Sequence, residues 1–298
     1  VNRDGKLCAV TYGYPCAVHK DPIEKKPLFH MLPGSWIFSL ATAGCNLHCK
    51  NCQNWEISQA NPEDVPAYQL PPEAVVRMTI DNGCESVAYT YTDPMVFYEY
   101  TLDSSILVHE AGLRNVLVTA GYINEEPLQR LLPFIDAANI DLKAYSDSFY
   151  REICNASLAP VLNTLVRTKE AGVIVEMTNL VIPTLNDSDE DIRKLCLWIV
   201  ENIGKETPLH FSRFFPHYRL LNLPPTPLST LERARQIALD TGLYYVYIGN
   251  ILTEDAENTR CHICKKILVK RRGYTILDNN IKDGKCPQCN TEVYGIWE

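Results

Sequence analysis

The chain has 298 residues, of which 46% are hydrophobic and 21% charged, enough to bury the core of one large α/β domain with or without a small appendage. A formal net charge of -8 argues against general affinity for nucleic acid, and no apolar run approaches the ~20 residues of a membrane span. The chain carries twelve cysteines, and Val1-Asn2-Arg3-Asp4 does not read as the start of a secretory signal, so metal or redox sites in a reducing compartment, the cytoplasm, are expected rather than disulfides.

No initiator Met precedes Val1, so native sequence is expected upstream. Residues 1–35 are irregular and punctuated by Pro15, Pro22, Pro27 and Pro33, and read as an N-terminal extension. Within them, Asp21-Pro22-Ile23-Glu24-Lys25-Lys26-Pro27 has the composition of a solvated loop. Its place before the next strand also makes it a candidate wall of a site. That strand is the apolar run Trp36-Ile37-Phe38-Ser39-Leu40-Ala41. After it comes Ala43-Gly44-Cys45-Asn46-Leu47-His48-Cys49-Lys50-Asn51-Cys52-Gln53-Asn54-Trp55, with three and then two residues between its cysteines.

Thiolates this close can converge on one soft metal centre in a loop leaving a strand. A [4Fe–4S] cluster takes four cysteine ligands, and the local set stops at three, which leaves one iron open to a small molecule. Three buried thiols that merely lie close in sequence are the plainer alternative. The tight spacing, the glycine before Cys45 and the polar setting favour the cluster.

Beyond this loop strands and helices alternate. Pro71-Pro72-Glu73 opens a helix that Gly83 closes. Another starts at Ser188 as N-cap, with Asp189, Glu190 and Asp191 in its first turn and Ile192, Leu195, Ile199 and Ile203 on one stripe up to Gly204. Strand-like runs lie at 86–91, 115–119, 138–142, 173–182, 209–212 and 243–248. This order predicts βαβ units, a mostly parallel sheet, and a ligand site at the carboxyl ends of its strands. The cysteine loop, Thr92-Asp93-Pro94, Thr119-Ala120-Gly121 and Asp141-Leu142-Lys143 all fall at such ends.

After Gly249-Asn250 the composition changes. Cys261-His262-Ile263-Cys264 and Cys286-Pro287-Gln288-Cys289 are Cys-x2-Cys knuckles with 21 residues between them, a four-thiolate set for structural Zn²⁺, or for iron in a rubredoxin-like site. Four thiolates complete a tetrahedron, so His262 is not expected to be a ligand. A hairpin around Gly273 is expected between the knuckles. Residues 256–298 hold eight Lys and Arg against five Asp and Glu, a mild basic balance that reads as a solvated face. The expected division is an extension over 1–35, a barrel over 36–253 and a four-cysteine module over 254–298.

The Cys45-x3-Cys49-x2-Cys52 motif resembles that of the radical S-adenosylmethionine (SAM) enzymes. More narrowly the chain is similar to the pyruvate formate-lyase activating-enzyme-like branch and, within it, to the AmmeMemoRadiSam-system family. The residues carrying that likeness are Asp21 to Leu28, Gly44 to Trp55, Tyr89 to Pro94 and Thr178 to Asp187. The resemblance implies a partial (β/α)6 TIM-like barrel, a [4Fe–4S] cluster on Cys45, Cys49 and Cys52, and SAM cleavage giving a 5′-deoxyadenosyl radical that abstracts hydrogen from substrate. It also implies an electron donor of flavodoxin or ferredoxin type, and a substrate that extends to proteins, including those of the associated gene system. Relatives grip the methionine amine with Gly-Gly-Glu-Pro where this chain has Tyr91-Thr92-Asp93-Pro94, so Thr92 and Asp93 become SAM candidates. Asp141 and Lys143 match an Asp-x-Lys element near the ribose and carboxylate. Glu176 and Thr178 share one face of their strand, where relatives line the ribose and adenine. His210 and Arg213 come from the next strand. Asn51 replaces a residue that is commonly aromatic, and Trp55 is the candidate for its packing. An RNA substrate read by the basic tail, or a non-catalytic electron carrier, are the competing functions.

Overall fold

The computed structural model describes residues 2–298; Val1, where the reading of the N-terminus begins, lies outside them. Eight strands form an open sheet in chain order. They are β1 (Ala17–Pro22), β2 (Trp36–Ala41), β3 (Ser86–Tyr89), β4 (Arg114–Thr119), β5 (Ala137–Asp141), β6 (Ile174–Val181), β7 (Leu209–Arg213) and β8 (Val246–Gly249). β1 is antiparallel to β2, and all later neighbours are parallel. The parallel strands are joined through α1 (Pro72–Asp81), α2 (Tyr98–Glu110), α3 (Glu125–Leu131), α4 (Leu158–Glu170), α5 (Asp189–Asn202) and α6 (Leu228–Thr241). This is the mostly parallel α/β sheet that the alternation predicts. Among the described residues no helix is long and apolar enough to cross a membrane.

Local signals account for the element ends. Ser188 Oγ accepts from the Asp191 amide at 3.1 Å, and Ile192, Leu195 and Ile199 of α5 are buried. β1 ends in Pro22, which an edge strand tolerates because one side of its ladder needs no donor. Alternate residues of each strand face opposite sides. On the outer side Phe38, Leu40, Val87, Tyr89, Leu117, Ile140 and Met177 pack against the helices. On the inner side Ile37, Ala88, Val116 and Ala137 pack against Ile23, Leu28 and Met31.

The chain between β1 and β2 therefore folds back inside the sheet as a plug. Asn139 Nδ2 donates to Pro27 O at 2.7 Å, and Glu176 Oε1 accepts from the amides of Phe29 and His30, both at 2.7 Å. The N-terminal 35 residues thus supply an edge strand and an interior segment.

The tail forms an antiparallel sheet of β9 (Thr259–Arg260), β10 (Ile267–Arg272) and β11 (Thr275–Asn279), with Gly273 at φ 58° in the expected hairpin turn. It packs onto the inner side of the large sheet through Leu268 and Val293 against Phe29, Tyr245 and Tyr247. Arg271, only 4% exposed, lies over the Phe29 ring at 4.3 Å and donates to Phe29 O and Thr259 Oγ1, both at 2.7 Å. The Ile296 amide donates to His30 O, and the Leu32 amide to Ile296 O, each at 2.8 Å. The tail holds the plug from behind.

Candidate active site

A cavity of about 420 Å³ opens where the strands end, within the ~300–1,000 Å³ range of small-molecule sites. Its lining includes Cys45, Cys49, Asn51 and Cys52 from the loop after β2, Thr92 and Asp93 after β3, and Thr119 and Ala120 at the end of β4. Asp141 and Lys143 from β5, Thr178 from β6, Ser212 from β7 and Asn250 after β8 complete the ring. All four strand ends singled out in the sequence meet here. The plug adds Lys25, Lys26 and Pro27, and the tail hairpin adds Tyr274.

The cysteine loop is pinned at several points. Gly44 takes φ 100°, a left-handed conformation that a side chain disfavours, and its amide donates to Ile57 O at 2.9 Å. The Leu47 amide lies 3.4 Å from Cys45 Sγ, and the Ser58 hydroxyl 3.2 Å from Cys52 Sγ. The amides flanking Cys49 donate outward, His48 to Cys154 O and Lys50 to Ile153 O, both at 2.9 Å. This brings Cys154 beside Cys49. The neighbouring Cys154 thiol holds Cys49 down to about 7, against the effect of burial, while Cys154 is raised by the same contact. Burial, with Asp93 nearby, pushes Cys45 up to about 12. A thiol in that condition ionises on meeting a metal.

The donor set fits an iron–sulfur cluster. Three soft thiols line one cavity, with the Leu47 amide on Cys45 Sγ and the Ser58 hydroxyl beside Cys52 Sγ, while the unpartnered Asn51 Oδ1 in the same lining is an acceptor for a ligand's donor rather than for the cluster. Lys143 Nζ pairs with Asp141 Oδ2 at 2.8 Å. Burial opposes its charge, but Asp141, Cys49 and Cys154 outweigh that and hold the ammonium well above its usual range. Asp93 is 1% exposed and accepts from the Ala120 amide at 2.8 Å, the Met95 amide at 3.1 Å and Thr119 Oγ1 at 3.1 Å. Burial raises its pKa, and those three donors pull it back. Thr119 Oγ1 also lies 3.2 Å from the other carboxylate oxygen, so these donors fix the carboxylate at the cavity wall while leaving its charge without a cationic partner among the described residues.

Not every candidate meets the cavity. Thr178 lines it, bonded to Asn139 Oδ1 at 2.9 Å, and Thr92 donates to Thr42 O at 3.0 Å. Glu176 shares the inner face with Thr178, as alternation requires, but stands two residues nearer the strand's start. There it holds the plug, and its second oxygen meets His210 Nε2 at 2.7 Å, so neither Glu176 nor His210 lines the cavity. Arg213 donates to Thr226 O at 2.9 Å and lies over Phe215, and Trp55 stacks on Tyr218 at 5.2 Å; both stand outside the lining. Glu176→Leu is expected to orphan two buried amides and destabilise the fold by about 2–6 kcal/mol in chemical denaturation, whereas Glu176→Gln, which keeps the acceptor, costs about 1 kcal/mol.

In the tail, the sulfurs of Cys261, Cys264, Cys286 and Cys289 all lie within 4.8 Å of one another, with Cys261–Cys289 at 3.5 Å and Cys264–Cys286 at 3.6 Å. A tetrahedron with ~2.3 Å metal–sulfur bonds has edges of about 3.8 Å. The four cysteines are a metal site in geometry. His262 is engaged elsewhere, stacked on Tyr244 at 4.2 Å with Nδ1 3.1 Å from Tyr245 OH.

A three-thiol loop over a polar cavity, at the carboxyl ends of a parallel sheet, fits a metal cluster with room for a small ligand beside it. The model of the Radical SAM superfamily matches residues 39–196, and the chain belongs to that superfamily. Membership implies a [4Fe–4S] cluster and SAM. Over 294 residues the chain is 45% identical to the uncharacterized protein MJ0808 of Methanocaldococcus jannaschii, covering 98% of this chain and 87% of that one. It is 27% identical over 162 residues to the pyruvate formate-lyase-activating enzyme of Clostridium pasteurianum, covering 54% and 67%. Among solved structures, Streptococcus suis SuiB bound to precursor peptide SuiA matches with a TM-score of 0.56 at 16% identity, over 76% of this chain and 51% of that one, a likeness of fold.

Proposed function

We propose that the protein is a radical SAM oxidoreductase in which Cys45, Cys49 and Cys52 hold a [4Fe–4S] cluster and the adjoining cavity holds SAM. When bound and reduced, the cluster supplies one-electron cleavage of SAM to methionine and a 5′-deoxyadenosyl radical that takes hydrogen from substrate. The chain's own residues bind and orient. Asp93 offers an unpaired negative charge to an ammonium, Asp141 and Lys143 offer a carboxylate and an ammonium to polar groups, and Asn51 Oδ1 and Thr178 add an acceptor and a hydroxyl. The plug keeps water from the inner side with Leu28 and Met31, both fully buried. Glu176 and His210 hold that plug rather than the cofactor.

The observation that carries this reading is the placement of three thiols on one wall of a cavity ringed by polar strand ends. Anaerobic, reduced, cluster-loaded protein should convert SAM to 5′-deoxyadenosine and methionine. No 5′-deoxyadenosine from protein with an intact cluster would overturn it.

The substrate proposed is a polypeptide C–H bond. Large apolar side chains stand exposed on the loops after the strands, namely Trp55, Phe215, Leu221 and Leu252, with Tyr274 at the cavity itself. Exposed apolar side chains on these loops suit a macromolecule. Relatives named as pyruvate formate-lyase-activating enzymes have a protein target, and SuiB was captured with a peptide. The segments shared with the AmmeMemoRadiSam-system family support that narrower assignment, with products of the associated gene system among the protein substrates to try. The remaining proposals are a flavodoxin or ferredoxin type electron donor, zinc in the tail site, and a cytoplasmic location.

A further inference from the structure

Lys26 is 2% exposed, and what it faces in place of solvent is the cavity. A buried ammonium is costly unless partnered, and it has three N–H groups to satisfy. Its recorded partners are Asp21 Oδ2 at 2.7 Å and the face of Tyr91 at 4.3 Å. That carboxylate is shared. Lys25 Nζ lies 2.8 Å from Asp21 Oδ1, and the Tyr91 hydroxyl also donates to Asp21. Two ammonium groups thus meet one carboxylate, and one positive charge is left over at the cavity wall.

The other acids of the lining do not neutralise it. Asp141 is paired with Lys143, and Asp93 is turned toward Ala120, Met95 and Thr119 rather than toward Lys26. Lys143, not Lys26, is the cation that faces Cys45 and Cys49. Tyr91, whose ring lies under Lys26, holds a left-handed backbone at φ 62°, uncommon for an aromatic residue and fixed here by the Asn54 amide donating to Tyr91 O at 2.6 Å. The plug that carries both lysines is anchored from Asn139 and Glu176. Lys26 is preorganised and buried, and that burial pulls its ammonium down to about 8, so a group of opposite sign beside it would be favoured, while Lys25 stands half-exposed next to it.

We propose that Lys25 and Lys26 form a subsite for an oxyanion group of the substrate, a carboxylate or a phosphate, that SAM leaves free. This deepens the proposed function and rests on it for the word substrate, while the anion site itself stands independently.

The test is calorimetric titration of cluster-loaded, unreduced protein with succinate and with inorganic phosphate, alone and with saturating SAM. At least one anion should bind, and the tighter of the two identifies the group. Lys26→Met should weaken binding by ~10-fold or more, and Lys26→Arg by no more than ~3-fold, as for loss and retention of a charge-assisted hydrogen bond. Lys25→Ala, at a half-exposed side chain, should weaken it ~3-fold and keeps the test open if Lys26→Met fails to fold. Saturating SAM should leave anion affinity within ~3-fold. No binding to wild type, wild-type affinity in both Lys26→Met and Lys25→Ala, or displacement of the anion by SAM would overturn the subsite. Assaying 5′-deoxyadenosine on the same preparation separates the two ideas. Anion binding without SAM cleavage would overturn the proposed function alone, and cleavage without anion binding the subsite alone.

Discussion

Cys45→Ser is expected to lower bound iron from about four per chain in the main site to a small residue, and to reduce 5′-deoxyadenosine formation by ~100-fold or more. Even changes one shell out from a metal cost ~10–100-fold in affinity or activity, and here a ligand itself is lost. The loop geometry makes Cys45 hard to replace. Its position is fixed by the left-handed Gly44 and by the Leu47 amide on its sulfur. Cys52→Ser should behave in the same way. Cys84 and Cys196 are buried far from the lining, and their serine variants should keep the iron, which separates ligand loss from general damage. Iron analysis with a parallel SAM-cleavage assay reads both quantities.

Stripping the tail metal, or Cys264→Ser, is expected to lower the melting temperature of the whole protein by ~10 °C or more. Structural zinc in small peptides carries an apparent ~10–16 kcal/mol, and a domain of this size moves ~2–4 °C per kcal/mol, so even a third of that energy is visible. The effect should reach the barrel, because the tail is continuous with it. Cys261 and Cys286 pack in one cluster with Phe29, Tyr245 and Tyr247, and Arg271 bonds to the backbone of Phe29 within the plug. Far-UV circular dichroism melts with and without chelator, beside Cys84→Ser as control, read this directly. A single transition shifting as a unit is the expected form. An unshifted barrel transition with a separate tail transition would mean that the two fold independently.

The features readable from sequence were those encoded locally. Cysteine spacing, the Ser188 cap, the two knuckles and the position of polar residues just past apolar runs each depend on neighbours within a few residues. They were enough for the parallel sheet and for the ring of strand ends around the cysteine loop. The plug was not readable. Asp21 to Pro27 has the charge density of a solvated loop, and although its place before β2 marks it as a wall of the site, nothing local shows that Pro27, Phe29 and His30 lie inside, because Asn139 and Glu176, which hold them, are more than a hundred residues away. Glu176 illustrates the same limit from the other side. Alternation fixes which face a strand residue takes but not its height within the sheet, so an acid that anchors a plug carries the same local signal as one that meets a ligand. Cys154 belongs to this group too. Only the backbone bonds of His48 and Lys50 bring it to Cys49, and its own neighbourhood resembles that of any buried thiol.

A cluster held by Cys45, Cys49 and Cys52 would leave one iron open to SAM, and electron-nuclear double resonance on the reduced, cluster-loaded protein reads this directly, with SAM labelled with ¹⁷O in the carboxylate or ¹⁵N in the amine. A hyperfine coupling from the label to the cluster is predicted, lost with unlabelled SAM. A reduced cluster whose spectrum is unchanged by SAM, with no coupling to either label, would contradict the account.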